Sequence, residues 1–196
     1  MVYKICFATG NEHKVKELNE ITEIFAGKNF IKFSAPPKPF DPIENADTFE
    51  GNSLIKAKYA NQTTGMMTLA DDSGLCVEIL DGRPGLYSAR YAPTQDKKIE
   101  KLLGEMTGKE NRKAKFVCAM TLLDKNGEIL FQTRGECYGK IALKRAGTNG
   151  FGFDPVFIPN GENRTLAEMS EEEKNKISHR SNALQKVINY LKSANK

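Results

Sequence analysis

The sequence has no tryptophan and only two histidines, His13 and His179, among its 196 residues. Two histidines are too few for a histidine-rich metal centre. The four cysteines, Cys6, Cys76, Cys118 and Cys137, form no CxxC pair. Most stand in apolar, strand-like settings, which marks them as small core residues in a reducing compartment and argues against a disulfide framework. No apolar run approaches the 18 or so residues of a membrane span. The opening stretch MVYKICFATG enters a strand without the basic segment and cleavage site of a secretory leader, so a cytoplasmic protein with no membrane partner is expected. GxGxxG, GxxxxGK[ST] and GxSxG are all missing. Their absence argues against a dinucleotide-binding fingerprint, a P-loop and a serine nucleophile on an elbow turn. No Cys/His pairing supports a covalent intermediate.

Hydrophobic residues make up 39% of the chain and charged residues 28%, enough to build a sizeable core and too apolar for disorder. The net charge of +4 comes from 29 basic and 25 acidic residues. That near-balance is unlike a nucleic-acid binder, where a clustered basic face is expected, and no RNP-like pattern is present. It is compatible with an anionic small molecule.

Residues 3–8 read as a buried strand, followed after Thr9-Gly10-Asn11 by a helix with Val15, Leu18, Ile21 and Phe25 on one face. A strand near 30–34 runs into the proline-rich loop Ala35–Pro42. Thr48 is placed to cap a helix reaching about Asn61. Residues 66–70 read as a strand ending in the turn Asp71-Asp72-Ser73-Gly74, with another strand over Leu75–Leu80. Thr94–Met106 has helical spacing, with Ile99, Leu102, Leu103 and Met106 inward. Lys115–Leu123 and Glu128–Tyr138 form a hairpin around Asn126-Gly127. A glycine-rich loop over 146–155 precedes a short strand at 156–158. Ser170 and Glu173 have capping-box spacing, and a last helix runs from about His179 to Lys192. Interleaved strands and helices predict an α/β class of mixed α+β character: a mixed central sheet flanked by helices, one domain over 1–196, two lobes and a cleft between them.

Four segments carry candidate chemistry. Thr9-Gly10-Asn11-Glu12-His13-Lys14 lies where a strand hands over to a helix, a place where backbone N–H groups and a lysine bind phosphate. Asp71-Asp72-Ser73 offers adjacent carboxylates, suited either to Mg²⁺ or to taking a proton from water, with Glu44 and Glu50 as nearby acids to complete a metal shell. Gly147 to Pro155 interleaves glycines with Phe151 and Phe153, a flexible loop that can lay a ring against a flat base. Lys174 to Ser181 gathers basic donors, including His179 and Arg180, between two helices. Together they describe a ligand with phosphates, a divalent cation and a planar base. A nucleotide sensor that binds without turnover would share the pocket, but the acidic pair favours an enzyme.

The sequence resembles the inosine triphosphate pyrophosphatase family, the XTP/dITP diphosphatases. The matching stretches are ATGNEHKVKEL (8–18), TFEGNSLIKAKYA (48–60), ADDSGL (70–75), RPGLYSARYA (83–92), GTNGFGFDPVFIP (147–159) and EEEKNKISHRSNAL (171–184). The resemblance implies an elongated two-lobed mixed α/β fold, usually a homodimer. It also implies Mg²⁺-dependent hydrolysis of purine nucleoside triphosphates (ITP, dITP, XTP) between the α- and β-phosphates. Carried over, Thr9, Gly10, Asn11, Glu12, His13 and Lys14 hold the triphosphate. Asp72 is the general base and a metal ligand, with Glu44 the second ligand, and Ser73 touches substrate. Phe151, Gly152, Phe153 and Asp154 clamp the base, and Lys174, His179 and Arg180 complete its recognition. The chain departs from the family pattern at Gly51, where the acid after Thr48-Phe49 is Glu50, and at Phe153, where the family usually has tyrosine.

Overall fold

The computed structural model describes residues 2–194, and of Glu12 and His13 it describes the backbone alone. The chain runs through β1 (Tyr3–Phe7), α1 (Glu12–Ala26), β2 (Ile31–Ser34), α2 (Phe49–Thr64), β3 (Thr68–Val77), α3 (Gln95–Glu105), β4 (Lys113–Leu123), β5 (Ile129–Ile141), β6 (Phe157–Pro159), α4 (Glu171–Ile177) and α5 (His179–Ser193). The six strands form one sheet in the order β2-β1-β3-β4-β5-β6. Its β1–β2 and β1–β3 pairs are parallel and its β5–β6 pair antiparallel, so the sheet is mixed as expected. Among the described residues no helix is long and apolar enough to cross a membrane.

The chain divides into two compact units. The first takes in the chain through Asp72, then Cys118–Gly135, then the chain from Arg180 on; the second holds Ser73–Val117 and Glu136–His179.

In the first unit, strand parity sorts side chains between two helical layers. Side chains alternate faces along a strand, and Phe7 lies in register with Leu69. Ile5, Phe7 and Leu69 share a core with Leu18 and Ile21 of α1 and with Leu184, Val187 and Ile188 of α5. The intervening Cys6, Ala8 and Ala70 pack instead with Ala57 and Ala60 of α2. Thr48 caps α2, its hydroxyl accepting from the Gly51 N–H at 3.0 Å, and the helix stops at Gly65 in the left-handed region.

One expectation fails here. Asp71 to Gly74 does not turn: β3 runs unbroken from Thr68 to Val77 through all four residues. Asp, Ser and Gly favour turns because their side chains compete locally for backbone groups. Both carboxylates instead find cationic side chains on their own faces of the strand, so the local preference is overridden. Leu75–Leu80 is likewise no separate strand, since Glu78–Leu80 closes as a single 3₁₀ turn.

The second unit packs its own core. Ile99 and Leu102 of α3, with Met106 just past its end, meet Leu75, Val77, Phe116, Ile141 and Phe157. Ile141 pairs with Phe157 across the β5–β6 ladder. The helix α4 opens with the expected capping box, in which Ser170 and Glu173 each accept from the other's backbone N–H. Those bonds and Arg164 hold the Glu173 carboxyl down at about 2, against an ordinary 4.5. A depressed carboxylate stabilises above its unfolded value and loses that contribution as pH falls through the folded one. Glu173→Gln keeps the cap geometry and removes the charge. Its deficit in urea-unfolding stability against wild type is therefore present at pH 7 and disappears between about pH 4.5 and 2; a deficit constant across that window contradicts the assignment.

Candidate active site

Between β1 and α1 the Thr9 hydroxyl accepts from the Asn11 N–H at 3.1 Å, which shapes the turn before the helix. Gly10 takes no left-handed angle, and a Cβ there would meet only the Phe40 carbonyl, at 3.7 Å. Nothing in the protein's own packing demands glycine at this position. The turn opens on a cavity of about 210 Å³ lined by Thr9, Gly10, Asn11, Lys14, Glu44, Lys56 and Asp71 among others. A helix N-terminus flanked by two lysines favours an anion. Glu12 and His13 fall in the first turn of α1, and what their side chains do lies outside the described structure.

Parity then separates the two aspartates. Asp71, in step with Leu69, is only 1% exposed and faces α1 and α5. It accepts from the Lys14 ammonium at 3.0 and 3.2 Å and from the Arg180 guanidinium at 3.1 and 3.2 Å. Arg180 also bonds Glu17 at 2.8 Å. Burial works against the Asp71 charge, but Lys14, Arg180 and Lys56 outweigh it and hold its pKa well below the usual carboxylate range. Asp71 is thus a fixed anion that positions Lys14.

Asp72, in step with Ala70, faces α2. One of its oxygens accepts from Lys56 Nζ at 3.1 Å and the other from Asn52 Nδ2 at 3.2 Å. Lys56 also reaches Glu44 at 2.7 Å. Burial pushes the Asp72 carboxyl above its ordinary value, with Lys56 offsetting this only in part. For Lys56, burial opposes the charge, but Asp71, Asp72 and Glu44 prevail and raise its pKa. Asp72 is therefore the aspartate suited to accept a proton.

Glu44 and Asp72 converge on one ammonium, which stands where a cation would. Among the described residues no three His, Cys, Asp or Glu side chains gather as a metal cluster. A pair of carboxylates with water and substrate oxygens is nevertheless the usual protein share of a Mg²⁺ shell, so the donor set fits that ion. Glu50 does not join it, being held by Arg134 at 2.8 and 2.9 Å.

In the second unit, the loop before β6 is tied down rather than flexible. The Ala167 carbonyl accepts from the Thr148 and Asn149 N–H groups, and the Gly152 carbonyl accepts from Gln95 Nε2. Buried Asp154 accepts from the Phe151 N–H at 2.9 Å and from Lys174 at 2.7 Å. Gly150 is obligatory: its φ is +73°, and a Cβ would come within 2.2 Å of the Asp154 carboxylate. Phe151 is 42% exposed, with the Lys174 ammonium 4.6 Å from its ring centre.

Three expected substrate contacts sit differently. Phe153, expected to stack on a base, is 2% exposed and packs edge-on against Tyr91 at 6.0 Å. It belongs to the core. His179 is buried and stacks on Phe116 at 4.7 Å. Arg180 directs its guanidinium to Asp71 and Glu17. Ser73 is half-buried within β3.

Lys56, Asn52 and Glu17 escaped the sequence reading. The signal for the first two was present: they are four apart, hence on one helical face, and that face also carries the buried Ser53, Ala57 and Ala60. A polar side chain on the stripe a helix buries is the informative exception to apolar burial.

With this geometry in place, the comparisons with known proteins decide the lineage. A family model described as the Ham1 family matches residues 5–190. The chain belongs to the Ham1 family. It is 43% identical over 189 residues to a dITP/XTP pyrophosphatase of Prochlorococcus marinus (strain NATL1A), covering 96% of this chain and 93% of that one. A dITP/XTP pyrophosphatase of Campylobacter jejuni is 42% identical over 203 residues, covering 98% and 99%. The structure of a HAM1 protein from Coxiella burnetii superposes with a TM-score of 0.85 at 35% identity, covering 97% and 99%. The resemblance read from the motifs and this Ham1 membership agree across nearly the whole chain.

Proposed function

We propose that this Ham1 protein is a Mg²⁺-dependent pyrophosphohydrolase. It cleaves the α–β phosphate bond of ITP, dITP and XTP, releasing the monophosphate and pyrophosphate and clearing these nucleotides from the pool. The observation that carries the reading is Asp72, a carboxylate with a raised pKa held between Lys56 and Asn52. The names of the relatives, dITP/XTP pyrophosphatases, supply the substrate class.

The Thr9–Asn11 turn, the α1 N-terminus and Lys14 bind the phosphate oxygens. Asp72 orients the attacking water and takes its proton as the oxygen closes on phosphorus and the bond to the leaving pyrophosphate breaks. A carboxylate positioned on the water can take its proton as the attack proceeds. Mg²⁺, held by Glu44 and Asp72, supplies positive charge to the triphosphate oxygens when bound. The exposed Phe151 ring, braced by Lys174 and Asp154, meets the purine. The same reading takes the protein as a cytoplasmic homodimer, a state that sedimentation equilibrium tests.

Substrate choice tests the reading. A site built to hydrogen-bond a 6-oxo group rejects the analogue lacking it by up to about 10⁴–10⁵. The kcat/KM for ITP, dITP and XTP is therefore expected to exceed that for ATP by orders of magnitude, and equal values for ITP and ATP would defeat the proposal. Lys14→Ala is expected to weaken the triphosphate by roughly tenfold or more, as befits one lost charge-assisted bond, with a smaller loss for the monophosphate. Calorimetric titration of both nucleotides checks this, and equal losses place Lys14 away from the β- and γ-phosphates.

A further inference from the structure

We propose that Lys56 closes the divalent-cation position in the nucleotide-free protein, so that the metal enters only together with the triphosphate. The inference rests on the metal-site reading given above. Lys56 is 8% exposed, and its ammonium lies 2.7 Å from Glu44 and 3.1 Å from Asp72. The second Asp72 oxygen is taken by Asn52. The carboxylates that fit a divalent ion are therefore already neutralised by a cation built into α2.

A metal arriving alone would have to seat itself beside that ammonium, against like-charge repulsion in a partly desolvated site. Mg²⁺ also gives up its water reluctantly. A triphosphate changes the balance from the other side. Lys56 and Lys14 both line the cavity in front of the α1 N-terminus, so a polyanion there offers the Lys56 ammonium new partners and frees Glu44 and Asp72. Because coupling between two binding events is reciprocal, the metal must raise nucleotide affinity by the factor that nucleotide raises metal affinity.

The test is Mn²⁺ binding to the full chain without nucleotide, read from the electron paramagnetic resonance signal of free Mn²⁺. Wild type and Lys56→Arg, which keeps the charge, are expected to bind only weakly. Lys56→Met is expected to bind at least tenfold more tightly, and Lys56→Met combined with Asp72→Asn is expected to lose that gain. Circular dichroism and thermal midpoints in chelator establish that each variant is folded. Should Lys56→Met fail to fold, Lys56→Gln, which also removes the charge, takes its place with the same expectations. Tight Mn²⁺ binding by wild type that Asp72→Asn abolishes overturns the closure while leaving the metal site standing. No binding to folded Lys56→Met, with an Mn²⁺ complex of ITP bound equally by wild type and Asp72→Asn, overturns the metal-site reading and the closure with it.

Discussion

Without metal, Asp72→Asn is expected to bind ITP about as well as wild type, and at saturating Mg²⁺ to lose roughly 10²–10⁴-fold in kcat, the usual contribution of a positioned general base. The substitution preserves shape. The amide oxygen can still accept from Lys56, which keeps Glu44 as a partner at 2.7 Å. The strand beneath is fixed by Leu69 and Ala70 in their separate cores, so the fold does not depend on the lost charge. What disappears is the capacity to take a proton and half of the carboxylate pair that fits a metal. Steady-state turnover at saturating Mg²⁺, set beside metal-free ITP affinity by calorimetry in chelator, separates the two. Near-wild-type turnover removes Asp72 from the chemistry.

Arg180→Met is expected to destabilise the protein by about 3–5 kcal/mol, the usual consequence of removing one partner from a buried ion pair. Arg180 and Asp71 side chains are each 1% exposed, and Glu17 is 10% exposed. Methionine replaces much of the aliphatic stem, so the loss measures the uncompensated charges more than a cavity. Asp71 retains Lys14, but Glu17 loses the guanidinium it meets at 2.8 Å. Urea unfolding at neutral pH gives the number, and a loss under about 1 kcal/mol would show that the network is not holding the first unit together.

What could be read from the sequence was what depends on near neighbours. The Thr48 cap, the Ser170–Glu173 box, the Asn126-Gly127 hairpin turn and the apolar stripe of α5 all rest on contacts within a few residues. They appear where local chemistry put them. The strand-to-helix turn at Thr9 was legible for the same reason, since a strand, a glycine and a helix follow one another directly.

The misreadings share a different cause. Asp71-Asp72-Ser73-Gly74 looked like a turn because its rescuers are remote: Lys14 is 57 residues away and Arg180 is 109. Arg180 looked like a free donor for the same reason. Phe153 looked like a stacking ring because alternation in a loop carries no inside or outside, and only the packing of Tyr91 assigns it to the core. Two adjacent aspartates read as one acidic patch, whereas strand alternation sends them to opposite layers. One becomes a fixed anion bonded to Lys14 and Arg180, the other a carboxylate held between Lys56 and Asn52.

The most direct test of the account is the phosphorus-31 spectrum of the products formed from ITP and Mg²⁺. Attack guided by Asp72 at the α–β linkage predicts inosine monophosphate and pyrophosphate in equal amounts, with no orthophosphate at early times. Inosine diphosphate and orthophosphate as the first products would contradict it.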